Sequence, residues 1–164
     1  MGTSKSGRYL NTRGSARYVS DFALVHSNEG KFTHRLITRN GKKVRQLILA
    51  SGGHGQKGME ILDKYHIPYN IEKTYSNGVR VGNIPTHQLK GKRTGTGQAW
   101  FPRSWKEKDI RHAGEHVAGL AANRNKHDGE RMYGMWKGVR VGVIKTNGKI
   151  GTVFPDIDQQ TRRK

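Results

Sequence analysis

The stretch VRVGVIKTNGKIGTVFPD, residues 139–156, alternates apolar and polar positions on both sides of Asn147-Gly148. Alternation with period two marks half-buried strands. Asn-Gly between two such runs fits a tight hairpin turn that needs positive φ at both central residues. RMYGMW, 131–136, adds a strand upstream, so three antiparallel strands are predicted at about 131–136, 139–146 and 149–154, ended by Pro155. NGVRVGNI (77–84) echoes KGVRVGVI (137–144), but nothing around them matches, so these are two similar strands and no repeat.

Outward from this meander, residues 105–121 predict a helix. Ser104 and Glu107 have capping-box spacing, and Ile110, Ala113, Val117 and Ala121 form one apolar stripe. A second helix is predicted over 57–66, where Ile61, Leu62 and Tyr65 share a face. HRLIT (34–38) and VRQLILA (44–50) flank Asn40-Gly41 and predict a hairpin; Asn77-Gly78 is a further turn signal, and FALVH (22–26) reads as a short strand. The fold class is α+β, with N-terminal helices and a hairpin packed on a twisted antiparallel sheet. Residues 1–18 read as a flexible basic arm, 19–156 as a single domain and 157–164 as a basic tail.

The 164 residues carry 31 Lys and Arg against 12 Asp and Glu, a net charge of +19 that points first to nucleic acid as partner. The charge is spread, +8 over residues 1–50, +4 over 51–100 and +7 over 101–164, which favours a folded binding face over a lone basic tail. No run of about 18 apolar residues exists, so no membrane-spanning helix is expected, and the N-terminus lacks the apolar segment of a secretory signal. Zero Cys excludes disulfides, thiolate zinc sites and Cys nucleophiles.

Three constellations carry chemistry. Gly53-His54-Gly55-Gln56-Lys57-Gly58 spells GxGxxG, but a dinucleotide fold needs more βαβ units than the chain offers. The segment is a flexible strand-to-helix turn, or a turn whose glycines expose His54 at the rim of a cleft. His112-Ala113-Gly114-Glu115-His116 spells HxxEH, an inverted zinc-protease pattern, yet both histidines fall opposite the apolar stripe and should face solvent. The third is the loop from His87 to Pro102, with Lys90, Lys92, Arg93, Thr94, Thr96, Trp100 and Phe101 among flexible glycines. Such a loop either only binds phosphate or supplies a catalytic histidine with a cation that stabilises developing charge. No Asp or Glu occurs from Asn77 to Trp105, which argues against a metal-dependent site near His87.

GQAWFPRSWKEKDI (97–110) resembles the FP-x-x-W-x-x-x-x-I segment of bacterial EndoU-type nuclease domains, and Thr152-Val153-Phe154-Pro155 resembles that family's terminal Thr/Ser-x-Tyr-Pro pattern, with Phe in place of Tyr. The resemblance covers roughly residues 50–156. It implies an EndoU or RNase A-like fold and metal-independent cleavage of RNA, with tRNA one candidate, by the 2′-OH to leave a 2′,3′-cyclic phosphate, without a cofactor. It also implies a bacterial or phage toxin module, delivered within a larger secreted or phage-associated protein, acting in a target cell's cytoplasm and countered by an immunity protein. Carried over by position, the catalytic set is His54, His87, Lys92 and Thr152, with His66 as the alternative first histidine and Lys90 as the alternative lysine. Lys90, Arg93, Thr96, Trp100 and Phe154 would bind substrate. His54 as base and His87 as acid is one assignment, and the sequence leaves its direction open. A non-catalytic nucleic-acid-binding or phage structural protein is the alternative that +19 also accommodates.

Overall fold

The computed structural model describes residues 14–88 and 97–160, and within them three helices and eight strands, every paired strand antiparallel. The first helix, α1 (Asp21–Asn28), is built from the stretch expected as a strand. The Ser20 hydroxyl accepts a hydrogen bond from the Ala23 N–H, and Asp21 stands in the first turn. This cap satisfies a donor that would otherwise be orphaned. FALVH is too short for its apolar spacing to separate strand from helix, and the Ser-Asp pair before it decides. Ala23, Leu24 and Ser27 are buried, and the Ser27 hydroxyl accepts the Val153 N–H.

β1 (Lys31–Arg39) and β2 (Lys42–Ser51) form the expected hairpin, with Asn40 at φ 55° and Gly41 at φ 78°. α2 (Gln56–Lys64) follows, then β3 (Asn70–Thr74), β4 (Arg80–Asn83) and β5 (Gln98–Trp100), ordered β3-β4-β5. At the turn between β3 and β4 only Gly78 takes positive φ; the Asn77 carboxamide instead accepts the Val79 N–H. α3 (Glu107–Gly119) is the helix predicted over 105–121. Its cap lies two residues beyond the expected pair: Lys106 is the N-cap, and Asp109 accepts the Lys106 N–H. β6 (Arg131–Trp136), β7 (Val139–Thr146) and β8 (Lys149–Pro155) form the terminal meander, with Asn147 and Gly148 in the predicted turn.

Ile110, Ala113 and Val117 of α3 are fully buried against this sheet. A Cβ on Gly114 would lie 2.6 Å from Val153, so glycine is what lets α3 approach β8 so closely. Two apolar clusters lie on either side of β5: Phe101 belongs to the one under α3, Trp100 to the one formed by Leu49, Met59, Leu62, Ile67 and Ile84. Residues 157–160 continue along the body, where the Gln160 carboxamide donates to the Arg140 and Asp156 carbonyls.

Candidate active site

The last four carbonyls of any helix lack partners within it. In α1 those of His26, Ser27 and Asn28 accept the N–H groups of Gly53, His54 and Gly55, at 3.0, 2.6 and 3.1 Å. This backbone zipper holds the glycine turn beside the end of the helix and so places His26 and His54 on one cleft. Gly52 makes the approach possible. Its φ is +71°, and a Cβ there would stand 2.1 Å from the His26 carbonyl oxygen and 3.1 Å from His26 Nε2.

The cleft, about 180 Å³, is lined by His26, Gly52, His54, Arg131, Thr152 and Phe154 with their neighbours. Thr152 and Phe154 are two apart on β8 and therefore share a face. The Phe154 ring lies 6.0 Å from the His54 ring and 6.3 Å from Tyr133, and the Arg131 guanidinium lies 5.9 Å from its centroid. His54 is 7 % exposed. Its Nδ1 lies 2.8 Å from the Ala99 carbonyl. A carbonyl only accepts, so Nδ1 carries the hydrogen, and Nε2 is the position that exchanges a proton. Burial, aided by the Lys31 charge, lowers the His26 pKa below the ordinary histidine value. The neutral imidazole is therefore favoured at pH 7.

Two further recesses adjoin the cleft. One, about 130 Å³, shares His54, Arg131 and Phe154 with it; the other, about 400 Å³, shares His26 and Thr152. Together they make a groove with the two histidines in its middle.

Of the residues expected from sequence, His54, Thr152 and Phe154 meet here. His87 does not line the cleft and has no exposed surface; its backbone N–H is tied to the Ile84 carbonyl. A general acid or base must touch the reacting atoms, and a wholly buried side chain away from the groove cannot. His66 lines a different cavity with Arg39 and Arg45. Trp100 is fully buried and packs at 5.8 Å from Tyr69, the role of a core residue, not of a base-stacking one. Lys90, Lys92, Arg93 and Thr96 lie outside the described residues. His112 and His116 are exposed, and Glu115 accepts the Val19 N–H.

Sequence reasoning missed His26 and Arg131. The assignment of 22–26 to a strand concealed His26, and Ser20-Asp21 was the signal that would have placed it on a helix end. Arg131 opens β6 with no local motif to single it out.

The model of the bacterial EndoU nuclease family matches residues 25–157. The chain belongs to the bacterial EndoU nucleases. The match begins one residue before His26 and ends three after Phe154, so it encloses every side chain named in the cleft. No curated protein and no solved structure matches the chain. Membership makes this EndoU domain a nuclease, and its antiparallel α+β architecture is the class that the helix and hairpin patterning of the sequence predicts.

Proposed function

We propose that this EndoU domain cleaves RNA by transesterification, without a metal ion, leaving a 2′,3′-cyclic phosphate and a 5′-hydroxyl. The observation that carries the reading is the convergence of two histidines in one cleft with Thr152, Phe154 and Arg131.

Burial and then the Lys31 charge lower the His26 pKa, so its ring suits the base. It takes the proton from the 2′-hydroxyl, and the 2′-oxygen forms its bond to phosphorus. The bond from phosphorus to the 5′-oxygen breaks, and that oxygen takes the proton of His54 Nε2. The Ala99 carbonyl accepts from His54 Nδ1 and so orients the ring with Nε2 toward the leaving oxygen in this scheme. Arg131, which lines the cleft, is the cation that stabilises charge growing on the non-bridging oxygens in this scheme. Thr152 and Phe154 hold the ribose or its base. His26 thus replaces His87 in the histidine pair, and His54, one possible base in the sequence reading, becomes the acid because the lowered pKa of His26 suits the base.

RNA as substrate also agrees with the charge. The hairpin Lys31–Ser51 carries six Lys and Arg and no Asp or Glu, beside a chain total of +19. Phosphate contacts of this kind supply most non-specific affinity.

The test is an RNA oligonucleotide cut at one bond, compared with the same oligonucleotide bearing a single 2′-deoxy nucleotide on the 5′ side of that bond. The modified strand should resist cleavage at that bond completely, because the nucleophile is gone. Equal cutting of both would overturn the transesterification.

A further inference from the structure

The recess of about 400 Å³ that shares His26 and Thr152 with the cleft is lined in addition by Phe22, Ala23, Lys149 and Gly151. Phe22 is 82 % exposed, more than any other large apolar side chain among the described residues. Its ring contributes nothing to the core, whose contacts from α1 come from Ala23 and Leu24. Phe22 and His26 are four residues apart on α1, so they share a face and are separated by about 6 Å along the axis. Among the described residues no carboxylate lines the recess, and Lys149 supplies a positive charge at its edge.

An exposed ring one helical turn from the proposed base, over an open cavity that runs into the catalytic cleft, has the form of a stacking platform. Bases stack on aromatic side chains with little regard to sequence, because each has a π-face. We infer that this recess takes the nucleoside next to the scissile phosphate in a single-stranded RNA, with its base on Phe22 and its outer phosphate beside Lys149. This rests on the reading of the cleft as a ribonuclease centre and adds the adjoining subsite. It makes the preferred substrate an unpaired segment reaching at least one nucleoside beyond the cleaved bond's own ribose, since a base held in a duplex stack cannot turn onto Phe22.

The probe is an end-labelled RNA hexamer that the wild-type protein cuts at one bond, made inert by a 2′-deoxy nucleotide at that bond. 2-Aminopurine is placed on its 5′ side in one version and on its 3′ side in another. Stacking on Phe22 should quench the emission of one of the two versions when wild-type protein binds. Phe22→Ala should lose that quenching and bind about tenfold more weakly, while Phe22→Tyr should keep both. Phe22 is exposed, so neither change threatens folding. Lys149→Ala should reduce the slope of log K against log salt by about 0.7. Unchanged affinity and quenching with Phe22→Ala would overturn the subsite while leaving the ribonuclease reading intact, and so would quenching of neither version in a tightly bound complex. RNA that the wild-type protein neither binds nor cuts would overturn the underlying reading and the subsite with it. Loss of binding to a protein partner but not to RNA on Phe22→Ala would overturn the subsite in favour of a protein-docking surface.

Discussion

Replacing His26 with alanine should slow RNA cleavage by about 10²–10⁴-fold, the contribution of a general acid or base, with RNA affinity nearly unchanged. His26 lines the cleft together with His54, and burial and Lys31 disfavour its charged form. The same environment sets a pH signature. As the base, His26 must be unprotonated, so wild-type kcat/KM should rise with pH along an acidic limb whose midpoint lies below the ordinary histidine value of 6.5. That limb should vanish in His26→Ala. Stability carries the matching sign: the folded pKa is depressed, so the contribution of His26 is intact above 6.5 and is lost as pH falls through the lower folded value. Single-turnover cleavage and thermal unfolding across pH 4.5–8.5 measure both (a window of roughly two units on either side of the ordinary value). A folded His26→Ala protein with full activity would remove His26 from the mechanism.

Gly52→Ala should damage the enzyme nearly as much through one added methyl group. The backbone there has φ +71°, and the Cβ would meet the His26 carbonyl oxygen at 2.1 Å. A left-handed conformation costs an L-residue about 1–2 kcal/mol, and the collision must also push the glycine turn away from the end of α1. That stretches the bonds from Gly53, His54 and Gly55 to His26, Ser27 and Asn28 and moves the two rings apart. A misplacement of about 1 Å is enough to cost about 10² in rate. Gly41→Ala is the control. Gly41 has φ +78° and open space around its missing Cβ, so it should lose a similar strain energy and keep its activity. Equal activity in the two variants, each compared by rate per folded molecule, would show that Gly52 does not position the site.

The meander was legible because period-two alternation and Asn147-Gly148 are local signals, and a hairpin turn needs nothing from the rest of the chain. The same holds for Asn40-Gly41 and for the stripe of Ile110, Ala113 and Val117. Local reading failed at α1, where four apolar residues in a row before His26 gave no period and a serine cap settled the matter. It failed at the α3 cap by two residues, because Ser104-x-x-Glu107 and Lys106-x-x-Asp109 compete and only the folded chain chooses.

The site divides along the same line. Thr152 and Phe154 were found because they sit in a motif on one strand, and His54 because glycines flank it. His26 is brought to His54 by hydrogen bonds between a helix end and a turn some 28 positions away, a long-range pairing that no spacing announces. The cation-rich segment around Lys90 to Thr96 drew attention to His87, whose side chain is instead part of the interior.

The most direct test of the whole account is end-group analysis of RNA cut by the purified protein in the presence of excess EDTA. Cleavage undiminished by EDTA, with 2′,3′-cyclic phosphate and 5′-hydroxyl ends, is the predicted result. Cleavage abolished by EDTA, or products with 3′-hydroxyl and 5′-phosphate ends, would contradict it.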